Sequence, residues 1–199
     1  MKPCLDLLDK IGITLNGDER AYIRTTSNPL IDVVLTRAYD IPMYVEYGAI
    51  DLGITGHDLV LERKANLHTL WDFDFGKCQL VVAVPETAPT RTIQDITQII
   101  RISTEYPNIS SKYFQTLGKQ VEILEVRGAT ELAPILGLTD IIVDISSTGE
   151  TLQKNNLRVI STILSSTSIL VCNKLSYRLF QNEISSLLQK IRALGGNQK

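Results

Sequence analysis

Few residues in this chain are of the kinds that break bonds unaided. It has two histidines, His57 and His68, and no Ser, Asp or Cys patterning beside them marks a nucleophilic triad. Cysteine is scarce: Cys4, Cys78 and Cys172 are scattered and odd in number. They give no zinc spacing and suit reduced thiols in a cytosol-like compartment. No cluster of metal ligands is visible, so no protein-held metal is expected. No apolar run approaches the roughly 18–20 residues of a membrane span. The start, Met1-Lys-Pro-Cys-Leu-Asp, lacks the continuous apolar core of a signal peptide, and a cytoplasmic location is expected. An excess of positive charge is also missing. The formal net charge is −2, whereas nucleic-acid binders are ordinarily basic. Neither nucleic acid nor a membrane is expected as a partner. There are no internal repeats and no low-complexity tract.

What is present is an ordinary globular composition, with 44% apolar and 21% charged residues. A chain of 199 residues has room for one domain or two small lobes. It opens on an amphipathic helix, with Pro3 in the first turn, Leu5, Leu8 and Ile11 on one face and Gly12 as a stop. Strands are expected at 31–37, 49–54, 79–84, 101–103, 121–126, 139–145 and 168–172. Helices are expected after Asp40, at 57–64, from Ser110 or Ser111 to Gly118, at 130–136, and from a Ser176 cap to Gly195-Gly196. The last should turn Leu179, Phe180, Ile184, Leu187, Leu188 and Ile191 inward.

Alternating strands and helices predict an α/β fold with a mostly parallel sheet. Connector-like stretches near 85–90 and 162–167 bracket a middle segment. The expected division is lobe I at 1–86 plus 165–199 and lobe II at 87–164, with a ligand cleft between them. A parallel lobe usually begins with a strand, and nothing precedes the first helix here.

The chemistry concentrates at Asp144-Ile-Ser-Ser-Thr-Gly-Glu-Thr151, directly after the apolar run Ile141-Ile142-Val143. A strand that turns into a helix through Ser, Thr and Gly presents backbone N–H groups outward, and the helix dipole favours an anion there. Asp144 adds a carboxylate for sugar hydroxyls. The competing reading is a polar turn with ordinary capping, and the pattern alone leaves both open. Two further loops, Arg127-Gly-Ala-Thr-Glu131 and Asp51-Leu-Gly-Ile-Thr-Gly56, read as simple turns on spacing alone. Arg20, Arg24 and Arg37 have the fork geometry for phosphates, though most arginines simply sit in solvent. Trp71, Phe73 and Phe75 read as packing residues, with an adenine stack as the weaker alternative.

Taken together, these blocks resemble a known family. The stretch from Glu131 to Leu152, Glu-Leu-Ala-Pro-Ile-Leu-Gly-Leu-Thr-Asp-Ile-Ile-Val-Asp-Ile-Ser-Ser-Thr-Gly-Glu-Thr-Leu, is similar to the signature of ATP phosphoribosyltransferase, the first enzyme of histidine biosynthesis. The blocks from Leu35 to Gly56, Phe75 to Ala83 and Ser103 to Asn108 match as well. Thr139 stands where the family usually has Ala, Gly or Ser, and modest repacking is expected there. Family members open with a strand and a Lys-Gly-Arg motif before the first helix. Met1 falls near the start of that helix, so an internal start or a truncation is expected.

The resemblance implies two α/β lobes of the periplasmic-binding-protein type (type II). It implies the short form, without the C-terminal regulatory domain. That form is expected to work as a homodimer with a separate regulatory subunit resembling histidyl-tRNA synthetase, in a hetero-octamer. The implied substrates are ATP and phosphoribosyl pyrophosphate (PRPP), with Mg²⁺ on the pyrophosphate. By position, Ser147, Thr148, Gly149, Glu150 and Thr151 should hold the 5-phosphate of PRPP. Asp144 should bind the ribose hydroxyls and stabilise developing positive charge. Arg20 is expected to be catalytic, and Arg37 and Glu131 to serve ATP or pyrophosphate. The alternatives carried forward are a two-lobed ligand-binding module without chemistry and an inactive paralogue.

Overall fold

The computed structural model describes residues 1–194; the expected helix stop at Gly195-Gly196 lies outside them. The chain divides into two compact units. The first holds Met1–Leu59, Ala65–Phe75 and the chain from Ser168 onward; the second holds Val60–Lys64 and Gly76–Thr167.

In the first unit, helix α1 (Lys2–Lys10) begins with Pro3 in its first turn. There the missing N–H costs nothing, because that donor has no partner in any helix. Leu7 and Leu8 pack against a buried cluster of Ile11, Ile13, Phe73, Leu170 and Ile191. A two-stranded antiparallel ribbon, β1 (Ile23–Thr25) and β2 (Asp32–Val34), follows. Then come α2 (Ile41–Glu46), β3 (Leu52–Gly56), α3 (His57–Arg63), which passes into the second unit from Val60, and β4 (His68–Asp72). The unit closes with β10 (Ser168–Cys172), α7 (Lys174–Leu179) and α8 (Gln181–Leu194). Its main sheet has the order β3-β10-β4, and both pairings are antiparallel.

Several expectations shift here. Asn173, not Ser176, caps α7: its Oδ1 accepts from the N–H groups of Leu175 (2.8 Å) and Ser176 (3.1 Å). Its amide also donates to the carbonyls of Val45 and Glu46, which end α2. Asn173 therefore satisfies one helix's start and another's finish. Ser176 instead donates to Asp51 Oδ1 at 2.6 Å. The expected single helix is two, meeting at Phe180, so Leu179 and Phe180 face outward while Ile184 and Ile191 are buried.

The second unit is a five-stranded sheet covered by short helices. Its elements are β5 (Cys78–Pro85), a 3₁₀ turn at Ile93–Asp95, β6 (Ile100–Thr104), α4 (Pro107–Thr116), β7 (Val121–Glu125), α5 (Leu132–Ile135), β8 (Ile141–Ser146), α6 (Glu150–Lys154) and β9 (Leu157–Ser166). The strand order is β7-β6-β8-β5-β9. β6 runs parallel to β7 and β8, but β5 runs antiparallel to β8 and β9. The sheet is therefore mixed rather than mostly parallel. Leu80–Val84 of β5 and Ile141–Val143 of β8 are almost wholly buried, as central strands covered on both faces should be.

The unit boundaries also differ from the expected division. β5 belongs to the second unit, because both its pairing partners lie there. The stretch at 162–167, expected as a connector, is the end of the ten-residue strand β9 up to Ser166, and the chain crosses back to the first unit after Thr167. Helix α4 starts at Pro107 rather than at Ser110 or Ser111. Its cap is unusual: the buried Glu62 accepts from the N–H groups of Asn108 and Ile109, both at 2.9 Å. A carboxylate at a helix N-terminus satisfies orphan donors and complements the dipole.

Candidate active site

The site is built where β8 ends. Three buried residues, Ile141 to Val143, anchor the strand in the sheet, so the chain beyond them emerges from a fixed base. Asp144 is the first side chain past this anchor, and the loop 147–149 leads into α6. Within the loop, Gly149 N–H donates to Ser146 Oγ at 3.0 Å and Glu150 N–H to Thr148 Oγ1 at 3.4 Å. Gly149 sits at φ +80°, the left-handed region that a β-carbon penalises. This one residue reverses the chain into α6, whose Leu152 is buried against Val81, Ala83, Ile142 and Leu157.

The N–H groups of Ser147, Thr148 and Thr151 have no protein acceptor among the described residues. The same residues line a cavity of about 80 Å³, walled by Asp144, Ser147, Thr148, Gly149 and Thr151 of the loop and by Glu131. That exceeds the roughly 30 Å³ a water takes in the liquid. Donors without partners around a small polar hollow are a receptor for an anion. Helix α6 opens at Glu150 rather than Thr151 and has five residues, so the loop's own N–H groups carry more of that capacity than a helix dipole does.

Asp144 is the electrostatic centre. Burial pushes its carboxyl above the usual 3.8; hydrogen bonds from Thr130 and from its neighbour's backbone oppose the shift, and the negative charges of Glu105 and Glu131 add to it. Ile145 N–H donates to Asp144 Oδ1 at 2.7 Å, and Thr130 Oγ1 donates to Oδ2. The wall thus combines two carboxylates, Asp144 and Glu131, with an N–H-rich loop, and Glu105 adds negative charge nearby. An acidic wall suits a cationic carbon, and the N–H loop suits a phosphate.

Asp144, Glu131, Ser147, Thr148, Gly149 and Thr151 are brought together. Glu150 lies beside them, but its side chain points to solvent, 3.9 Å from Lys154. Arg20 and Arg37 lie on exposed loops of the first unit. Arg20 N–H donates to Asp18 Oδ1, and Arg24 Nε donates to Asn16 O. Sequence reasoning missed Thr130. It is wholly buried and touches Asp144 directly, and its only sequence signal was its place beside Glu131.

The other candidates resolve as structure. A β-carbon on Gly53 would stand 2.5 Å from Ile41 and 2.9 Å from Val45, so Gly53 permits α2 to lie against β3. Phe73 is buried and stacks on Phe75 at 5.0 Å, and Arg192 covers Trp71; these rings pack within their unit. His68 lies against Tyr177. Among the described residues no group of three His, Cys, Asp or Glu side chains gathers to hold a metal. None of their helices is long and apolar enough to cross a membrane.

Fold and site together define an α/β protein of two units whose second unit carries an anion-receptive loop beside an acidic wall. The chain belongs to the ATP phosphoribosyltransferase family, whose model matches residues 37–193, and it is accordingly a transferase. An ATP phosphoribosyltransferase of Halothermothrix orenii is 44% identical over 96% of this chain and 88% of its own length. One from Methanocaldococcus jannaschii is also 44% identical; 89% of this chain matches it, and the match spans 62% of its length. A solved ATP phosphoribosyl transferase (HisG:HisZ) complex from Thermotoga maritima superposes with a TM-score of 0.85 at 31% identity, covering 96% of this chain and 92% of that one. The substrate-binding protein of an amino acid ABC transporter superposes with a TM-score of 0.62 at 15% identity over 96% of this chain and 80% of its own. That likeness shows the periplasmic-binding-protein type of fold and no more. The curated relatives carry an enzyme's name, which favours the transferase over the ligand-binding alternative.

Proposed function

We propose that the chain transfers the 5-phosphoribosyl group of PRPP to N1 of ATP, the opening step of histidine biosynthesis. N1 of the adenine attacks C1 of the ribose, and the C1–N1 bond forms as the C1–O bond to pyrophosphate breaks. Pyrophosphate leaves with the bonding pair, and N1-(5-phosphoribosyl)-ATP remains. No protein nucleophile is needed, so the scarcity of histidine and the lack of a triad are no obstacle.

The observation that carries this reading is the cavity lined by Ser147, Thr148 and Thr151, whose N–H groups have no acceptor among the described residues, beside Asp144. In this reading the loop, with the hydroxyls of Thr148 and Thr151, holds the 5-phosphate, and Gly149 lets the backbone approach it. Asp144 accepts hydrogen bonds from the ribose hydroxyls. With Glu131 and Glu105 nearby, it makes the wall negative where positive charge develops on the ribose. Positioning and electrostatics supply the acceleration. Mg²⁺ bound to the pyrophosphate of the substrate would supply neutralisation of the leaving-group charge. Glu150 borders the phosphate loop, and Arg20 and Arg37 serve ATP or pyrophosphate. The enzyme works in the cytoplasm as a homodimer joined to a histidyl-tRNA-synthetase-like regulatory subunit in a hetero-octamer.

The test is incubation with ATP, PRPP and Mg²⁺, with and without that subunit, following adduct and pyrophosphate together. Both products are expected in equal amounts. No adduct under either condition overturns the transferase reading. In Thr148→Ala, kcat/KM for PRPP is expected to fall about tenfold or more with the thermal melt kept; unchanged kinetics would remove the loop from the phosphate site.

A further inference from the structure

Behind Asp144 lies a run of buried hydroxyls that the reaction above does not use. Thr139 Oγ1 and Ser103 Oγ are 3.2 Å apart, and Ser103 Oγ lies 3.2 Å from the carbonyl of Thr130. Thr130 Oγ1 then donates to Asp144 Oδ2. Ser103, Thr130 and Thr139 are 0%, 0% and 4% exposed, so water does not substitute for these bonds. Their direction follows from counting protons. A carbonyl only accepts, so Ser103 spends its single O–H on Thr130, and Thr139 must donate to Ser103. The Thr130 carbonyl also accepts from Ala133 N–H at 3.3 Å, which fills its second lone pair. The hydroxyls of Thr139 and Ser103 therefore hold the Thr130 backbone, and the Thr130 side chain donates to Asp144.

We propose that Thr130 is a positioning residue for Asp144, clamped from behind by Ser103 and Thr139. The residues come from three places: Ser103 from β6, Thr130 from the turn before α5, and Thr139 from the turn before β8. β6 and β8 are paired neighbours, with Ser103 opposite Ile142, so the clamp rests on the most deeply buried part of the sheet. Asp144 also faces the carboxylates of Glu105 and Glu131. Repulsion from those groups would turn an unclamped side chain away; a donor fixed on Oδ2, with Ile145 N–H on Oδ1, holds it in place. The hydroxyl of Thr139 completes the clamp.

The proposal rests on the substrate role assigned to Asp144, and its test separates the two. In ¹³C-labelled protein the Asp144 carboxyl is titrated by NMR, its signal assigned by its loss in Asp144→Asn. This readout needs no turnover. Thr130→Val keeps the shape and removes the donor, so the Asp144 titration is expected to move to higher pH, and Thr130→Ser to bring it back. Ser103→Ala is expected to move it the same way by less; if T130V does not fold, S103A carries the test. In kinetics, T130V is expected to lower kcat/KM for PRPP about tenfold to a hundredfold, leave KM for ATP unchanged, and recover with T130S. An Asp144 titration in T130V identical to wild type, or no recovery in T130S, overturns the proposal even if the wild type makes the adduct. A shifted titration in a protein that makes no adduct upholds the clamp and removes the transferase reading.

Discussion

Gly149→Ala isolates the cost of one backbone conformation. Gly149 holds φ +80°, and a β-carbon added there meets nothing within 4 Å. The substitution therefore brings no clash, and its whole native-state effect is the left-handed conformation, about 1–2 kcal/mol for an L-residue. Alanine also narrows the unfolded ensemble, which returns about 0.4–1 kcal/mol. The net loss is about 1 kcal/mol, or roughly 2–4 °C in Tm for a chain of this size. Asparagine tolerates the same region through its short polar side chain, so Gly149→Asn should melt between wild type and G149A. The assay is thermal unfolding of the three proteins by circular dichroism in one buffer. KM for PRPP should rise in the same order, because the N–H groups of Thr148 and Thr151 are aimed by this reversal. An alanine variant melting at or above wild type, or an asparagine variant melting below alanine, would refute the claim that φ alone demands glycine.

Three other outcomes follow from buried groups. The raised pKa of Asp144 means that the folded protein holds this proton more tightly than the unfolded chain does. Its contribution to stability is full below the ordinary 3.8 and is lost as pH rises through the higher folded value. Asp144→Asn should therefore gain stability relative to wild type across that window and keep the gain at neutral pH while losing turnover; paired melts from pH 3 to 8 check the sign. Glu62→Ala should cost about 1–2 kcal/mol, because the N–H groups of Asn108 and Ile109 lose their acceptor, read as a lower urea midpoint at unchanged slope. Ser110 Oγ is the one buried side-chain N or O among the described residues without a hydrogen-bond partner. Ser110→Ala should stabilise by about 1 kcal/mol through relief of that hydroxyl and better helix propensity, measured the same way.

The legible parts of the fold were those with a strong local pattern. Leu80 to Val84 and Ile141 to Val143 are continuous apolar runs, and they are the central strands. Strand β9 was hidden because it is an edge strand with much polar surface, and its end, Ser165-Ser166, carries the residues of a loop. The sheet's direction was hidden too, since strand order depends on pairing between segments far apart in the chain. At α7, Asn173 and Ser176 are both good caps by residue type; only the carbonyls of Val45 and Glu46, over 120 residues away, decide between them. The candidate loop was legible because its chemistry is contiguous, from Asp144 to Thr151. Thr130 was not, because a lone threonine acquires meaning only when β8 brings Asp144 to it.

The position of β10 has a consequence for the order of events during synthesis. It lies between β3 and β4, which share no pairing with each other, and it begins at residue 168. Until that strand has left the ribosome, the two earlier strands have no common partner, and their helices have no finished sheet to cover. The second unit, by contrast, draws almost all of its residues from the unbroken stretch Gly76–Thr167. Its strands are complete before β10 is made. The unit with the candidate loop is thus able to fold during translation, while the first unit must wait for the stretch from Ser168 onward, its early strands exposed in the interval.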